Sequence, residues 1–268
     1  MTDSEKSLSR LQQIVSALRA PDGCSWDREQ TLKSMRSFLI EETYEVIDAI
    51  DRDDMAALRE ELGDLLFNVL LITDIASERA NITLDDVAHD VAEKLVSRHP
   101  HVFGDDTDSV SGGAQAGSQE RWDELKRTEH PDRLFMDGIP TALPALMRAQ
   151  RLTDRAARVG FEWPDISGVW DKIDEEGQEL REAIRSGTDQ DISDEYGDVL
   201  FAWVNLGRFL DVDPEAAVHA TSRRFTARFN FIERVLRDQG RTLEESSLEE
   251  MDSIWKDAKI ALRKKGDS

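Results

Sequence analysis

A single cysteine, Cys24, in 268 residues excludes an intramolecular disulfide framework and a thiolate metal cluster. Prolines number 7 and aromatic residues make up 7%, a poor supply for an architecture of many short strands. No segment sustains the period-two alternation of a half-buried strand. Bases are the scarcer charge: 34 Lys and Arg against 56 Asp and Glu leave a net charge of −22. Without a basic excess to displace phosphate counterions, a nucleic-acid partner is not expected. An anionic ligand would have to be met by local bases or by metal ions that overcome the global field. The most apolar run, 65–72, is too short to cross a bilayer and is broken by Asn68. The opening Met1-Thr2-Asp3-Ser4-Glu5 is polar and acidic, unlike a signal peptide. A cytoplasmic protein without a membrane partner is therefore expected. The 39% of hydrophobic residues supply a core, and the length suits one or two domains.

Helical periodicity fills the chain. Leu8, Leu11, Ile14, Val15 and Leu18 mark a first helix that stops before Pro21-Asp22-Gly23, a turn signal. After a loop at Cys24-Ser25-Trp26-Asp27, helices are predicted over about 31–50 and 54–79, the second with Leu58, Leu62, Leu65, Val69 and Ile72 on one stripe. Thr83 reads as the N-cap of a helix reaching Arg98, with Asp85 and Asp86 in its first turn. Gly104, Gly112, Gly113 and Gly117, among Ser and Asp, read as a flexible loop over 104–118, and a helix is predicted over 119–129. Further helices are expected over about 146–158, 166–186, 192–210, 214–239 and 248–264. The fold class is all-α. Prolines between His130 and Pro144 divide it into an N-terminal domain at 1–130, a linker at 131–144 and a C-terminal domain at 145–268.

The two halves repeat. A shift of 134 positions lays Glu41, Glu42, Glu45, Glu61, Gly63 and Asp64 on Glu175, Glu176, Glu179, Glu195, Gly197 and Asp198. Leu66-Phe67 falls on Leu200-Phe201 and Ala49-Ile50 on Ala183-Ile184. In so acidic a composition, five preset acids recur by chance at roughly 4 in 10,000 per register, and the gapless Gly and Leu-Phe matches make duplication the better explanation.

Residues three or four apart share a helix face, so Glu42 and Glu45 project together, as do Glu61 and Asp64 on the next helix. A short connection makes those helices antiparallel neighbours, and four carboxylates converge across the pair. Glu176, Glu179, Glu195 and Asp198 repeat the arrangement. Such charges repel unless a cation sits among them, and oxygen ligands without His or Cys suit Mg²⁺ or Mn²⁺. Gly63 and Gly197, poor helix residues inside the acidic pairs, leave room for a neighbouring helix or a ligand. The bland alternative is a solvated acidic face, which the repeat and the bordering apolar stripe disfavour. A di-iron bundle needs Glu-x-x-His pairs, and the five histidines (His89, His99, His101, His130 and His219) lie elsewhere.

Each half also carries downstream bases one turn apart, Lys94 with Arg98 and Arg224 with Arg228. A Trp-x-x-x-Lys follows in each, Trp122 with Lys126 and Trp255 with Lys259. Taken singly these are commonplace. Following the acids in the same order, they point to a phosphorylated, aromatic ligand, with bases for phosphate oxygens and indole for a stacked ring.

The doubled Glu-Glu-x-x-Glu and Glu-x-x-Asp pattern resembles the signature of MazG nucleoside triphosphate pyrophosphohydrolases in their tandem two-domain form. The likeness extends to Gly23-Cys24-Ser25-Trp26-Asp27, to Arg98-His99-Pro100-His101-Val102-Phe103, to Pro144-Ala145-Leu146-Met147-Arg148-Ala149-Gln150 and to Val159-Gly160-Phe161-Glu162-Trp163. The resemblance implies Mg²⁺-dependent cleavage of nucleoside triphosphates to monophosphate and pyrophosphate. It also implies a homodimer whose subunits complete each bundle, with the C-terminal domain as the active one. Carried over, Glu176, Glu179, Glu195 and Asp198 are metal ligands, while Lys172, Glu175, Arg224, Arg228, Trp255 and Lys259 contact the nucleotide. Glu42, Glu45, Glu61 and Asp64 would form a second, N-terminal site. Lys172 precedes Glu176 by one turn whereas its N-terminal counterpart is Phe38, an asymmetry that weakens triphosphate binding in the first half. Ser25 stands where the family usually has Pro, and Ser222 and Arg224 where Asn and Lys are common. The expected reaction is attack of a metal-activated water on the α-phosphorus, with Glu175 a candidate to orient or deprotonate it. A non-catalytic helical interaction protein is the competing reading.

Overall fold

Turn signals in the chain become helix boundaries in the computed structural model, which describes residues 3–103 and 134–266. The loop expected at 104–118 and the helix at 119–129, with Trp122 and Lys126, lie outside the described residues. The described residues contain helices and no strand, as the all-α reading requires. They fall into two units, Met1–Glu129 and His130–Ser268. Among them no helix is long and apolar enough to cross a membrane.

The first unit holds α1 (Asp3–Arg19), α2 (Ser25–Glu29), α3 (Met35–Asp51), α4 (Met55–Ala80), α5 (Leu84–Arg98) and α6 (Pro100–Phe103). Helices α3 and α4 form a hairpin, and α1 packs on α4. Val15, Met35, Leu70, Leu71 and Ile75 are the buried centre, with Leu11, Phe38, Phe67, Ile72 and Leu84 packed around it. Burying these faces fixes the rotation of α3 and α4, and hence where their acids point. Asp54 caps α4 by accepting from the amides of Ala56 and Ala57, both at 3.1 Å. Asn81 ends that helix in the left-handed conformation, φ 51°. Thr83 and Asp86 build a reciprocal capping box at the start of α5, a device that stabilises a helix start by about 1 kcal/mol. The Arg19 guanidinium bonds Asp74 at 2.9 Å, Glu78 at 2.6 Å and the Asp27 carbonyl at 2.8 Å, tying α1 to α4 and to α2.

Two expectations need correction here. Most of the loop expected at Cys24-Ser25-Trp26-Asp27 belongs to a short helix, Ser25–Glu29, and α3 starts at Met35 rather than near Thr31. The physical reason is local: the Thr31 amide donates to Ser34 Oγ at 2.9 Å and the Ser34 amide to Thr31 Oγ1 at 3.1 Å. These reciprocal bonds hold a turn in competition with helix.

The second unit holds α7 (Ala145–Ala157), α8 (Ile166–Ser186), α9 (Asp189–Phe209), α10 (Pro214–Asp238) and α11 (Leu248–Gly266). It is built from two hairpins, α8 with α9 and α10 with α11, and α7 packs on both α9 and α10. Val169, Ile173, Ala202 and Leu206 form the core of the first hairpin. Ile232, Leu236 and Ile254 form that of the second. Helix α9 starts three residues before the expected Ile192 because Thr188 and Asp191 make another capping box. Asp213 caps α10 through the Ala216 amide, with Pro214 at the first turn, where a missing N–H costs nothing. Arg208 of α9 pairs with Glu162, ahead of α8, and donates to Asn205 Oδ1 at 3.2 Å.

Candidate active site

Helix α3 carries Glu42 and Glu45, one turn apart, and α4 carries Glu61 opposite them. Each offers a carboxylate oxygen within 4.8 Å of the other two. Helices α8 and α9 assemble Glu176, Glu179 and Glu195 in the same way, again within 4.8 Å. Asp64 and Asp198, expected as fourth ligands, are exposed and lie outside these groups of three. Glu41 and Glu175 are exposed beside them. Nothing in the described residues lies within 4 Å of a Cβ built on Gly63 or Gly197. The space those glycines leave is therefore not taken by a neighbouring helix of their own units.

Burial of single residues and oxygens makes the acid groups costly as they stand. Glu176 is only 6% exposed. Oε2 of Glu42 and Oε2 of Glu195 are buried with no hydrogen-bond partner. A buried carboxylate oxygen without a donor is strongly unfavourable, and a divalent cation among hard oxygen ligands relieves it. Both groups thus fit a Mg²⁺ or Mn²⁺ ion, by ligand chemistry and by these orphaned oxygens.

The electrostatics agree. Lost hydration, then the charges of Glu45, Asp64, Glu61 and Glu41, push the Glu42 carboxyl above its ordinary value of 4.5. Glu61 rises for the same reason, with Glu45, Glu60 and Asp64 adding and Arg52 partly offsetting. Glu179 rises through lost hydration and the charges of Glu176, Glu195 and Glu175, offset by Lys172. An acid with a raised folded pKa binds its proton more tightly in the folded chain than in the unfolded one. Its stabilising contribution is present below about pH 4.5 and is lost as pH rises through the raised value. In EDTA, Glu42→Gln is therefore expected to match the parent near pH 4 and to melt at a higher temperature at pH 7. Equal melting temperatures at pH 7 would exclude the like-charge strain.

Lys172 sits at the edge of the second group, its Nζ 2.9 Å from Glu175 Oε1 and 2.7 Å from Glu176 Oε1. Those two hydrogen bonds, to Glu176 first and then Glu175, raise the lysine above its ordinary pKa and keep it charged. Phe38, at the equivalent place in the first unit, packs against the core and lies edge-on to Trp26 at 5.5 Å.

The remaining predicted contacts lie on the other hairpin. The Arg228 guanidinium stands over the Trp255 ring at 5.4 Å, joining α10 to α11. Arg224 donates to Thr221 Oγ1 at 2.7 Å, and Lys259 is exposed one turn beyond Trp255. Among the described residues no ion pair links Arg224, Arg228 or Lys259 to the five C-terminal acids. Helix α7 packs on a helix of each hairpin, so the acids with Lys172 lie on one hairpin of the unit and Arg224, Arg228 and Lys259 on the other. In the first unit Lys94 is exposed while Arg98 is buried. Sequence reasoning passed over Phe225, whose ring is 5.2 Å from Trp255 and stacks on Phe229 at 6.0 Å. Its spacing, one residue after Arg224 and four before Phe229, was the available signal.

Comparison with known proteins identifies the family. Residues 30–103 and 169–230 match the MazG nucleotide pyrophosphohydrolase domain. The chain belongs to the MazG family. A nucleoside triphosphate pyrophosphohydrolase/pyrophosphatase MazG of Thermotoga maritima is 42% identical over 92% of this chain and 93% of its own length. A nucleoside triphosphate pyrophosphohydrolase of Escherichia coli is 40% identical over 94% of this chain and 97% of its own. One from Mycobacterium tuberculosis is 37% identical over 51% of this chain and 41% of its own. The two MazG segments contain both acid groups together with Lys172, Arg224 and Arg228, while Trp255 and Lys259 lie beyond them.

Proposed function

We propose that this MazG protein hydrolyses nucleoside triphosphates, ribo- and deoxy-, at the α-phosphorus, giving monophosphate and pyrophosphate, and so clears unwanted nucleotides from the cytoplasmic pool. The observation that carries the reading is the close group of Glu176, Glu179 and Glu195, in which Glu176 is buried and Glu195 has an orphaned carboxylate oxygen. Glu176, Glu179 and Glu195 would hold Mg²⁺, or Mn²⁺ in its place, with Asp198 joining from one turn along α9. The metal supplies charge neutralisation for the phosphate oxygens and activation of water. Glu175, exposed beside the group, orients the water whose oxygen bonds to the α-phosphorus as the bond to the bridging oxygen of pyrophosphate breaks. Lys172, Arg224, Arg228 and Lys259 bind the triphosphate, and Trp255 stacks on the base.

Arg224, Arg228 and Lys259 sit on a different hairpin from the acids and Lys172, which favours a homodimer whose second copy completes the site. Apolar side chains left exposed support that assembly. Val87, Val91 and Leu95 form a stripe on α5, and Leu200 and Trp203 lie on α9, all more than 40% exposed. The N-terminal acid group, Glu42, Glu45 and Glu61 with Asp64, has Phe38 where the C-terminal group has Lys172, which favours the C-terminal domain as the active one.

The test is pyrophosphate release by the purified protein from ATP, GTP, CTP, UTP and the deoxynucleotides, with Mg²⁺ and with EDTA. Release that requires the metal is expected. Absence of pyrophosphate under both conditions would leave a non-catalytic interaction protein.

A further inference from the structure

On α8, Lys172, Glu175, Glu176 and Glu179 share one face, spaced three, four and seven residues apart. The Lys172 ammonium reaches over this face to the most buried acid of the group: the Glu176 side chain is 8% exposed, that of Lys172 37%, and their atoms meet at 2.7 Å. The same ammonium bonds Glu175 at 2.9 Å. Glu176 therefore has two claimants, the ammonium fixed to its own helix and the divalent ion that its grouping with Glu179 and Glu195 suits. A carboxylate oxygen donated to by an ammonium is a poorer metal ligand, and a fixed positive charge beside the group repels a second cation. Among the described residues the first unit lacks this arrangement. Phe38 turns into its core, and the nearby Arg52 pairs with Asp48 at 3.2 Å.

We propose that Lys172 is a tethered counter-cation that competes with the divalent metal for Glu176, so that loading this group exchanges one cation for another. The exchange releases the ammonium from Glu176 as the metal arrives, and ties the lysine's availability for phosphate oxygens to metal loading. Lys172 is thus a positioning residue for the metal as well as a contact for the nucleotide. The inference rests on the assignment of Glu176, Glu179 and Glu195 as metal ligands.

The experiment titrates the full-length protein with Mn²⁺ alone and reads the free ion by its paramagnetic resonance signal, with no nucleotide and no turnover. All forms carry Glu42→Gln and Glu61→Gln, so that only the C-terminal acids are read. Lys172→Met and Lys172→Gln are expected to bind Mn²⁺ about tenfold more tightly than the background protein, since each removes the competing charge. Lys172→Arg, which keeps a cation on the same helix face, is expected to retain the background affinity. Unchanged or weaker binding in both Lys172→Met and Lys172→Gln, with Mn²⁺ still bound by the background protein and lost in Glu179→Gln, would overturn the exchange and leave the proposed activity standing. No binding by the background protein would overturn both.

Discussion

Glu179→Gln is expected to lower Mg²⁺-dependent pyrophosphate release at least about 100-fold, the loss of a ligand exceeding the 10–100-fold typical of its outer supports. The amide keeps the shape of the side chain and removes its charge, so helicity should be unchanged. A second effect of opposite sign should accompany the first. The Glu179 carboxyl is pushed up by lost hydration and by Glu176, Glu195 and Glu175. Removing its charge therefore relieves repulsion, and the variant should melt above the parent in EDTA at neutral pH. The parent should gain thermal stability on adding Mg²⁺, and the variant should gain little. Loss of activity together with a higher melting temperature distinguishes a ligand from a merely structural acid, whose loss would lower both. Turnover equal to the parent would exclude Glu179 as an essential ligand.

Trp255→Ala is expected to raise KM for nucleoside triphosphates about tenfold or more, with a much smaller change in kcat. A stacked base is typically worth ~1–3 kcal/mol at an aromatic side chain. The Trp255 ring is partly exposed, with the Arg228 guanidinium at 5.4 Å and the Phe225 ring at 5.2 Å. Trp255 also packs on the core of Ile232, Leu236 and Ile254, so truncation alone would confuse binding with stability. Trp255→Phe separates them, because it keeps an aromatic face and most of the packing and should restore much of the affinity. A Trp255→Phe variant as impaired in KM as Trp255→Ala would argue against stacking, and a loss confined to kcat would place Trp255 outside base binding.

The legible parts of the molecule are those where a local pattern suffices. Thr83 and Asp86 cap α5 because a threonine and an acid three residues on satisfy the first amides wherever the helix packs. Where local signals compete, helix boundaries shift. Thr31 and Ser34 bind each other's amides and delay α3, and Thr188 extends α9 backwards through a box that periodicity does not reveal. The candidate site was legible as a list of acids at helical spacing and illegible as a coordination geometry. Spacing alone places Asp198 with Glu195, one turn apart. The close group is Glu176, Glu179 and Glu195, with Asp198 exposed one turn along α9, a difference of side-chain placement that spacing does not encode.

The amino-acid sequence by itself determined an all-helical chain, its duplication and the type of atom offered at each repeat, since period, composition and chemical identity are properties of order along the chain. Tertiary structure alone decided which carboxylates meet, which of their oxygens lose water without gaining a donor, and that Lys172 reaches Glu176. Those outcomes depend on the rotation of α8 against α9, which is set by burying Val169, Ile173, Ala202 and Leu206 rather than by any acid.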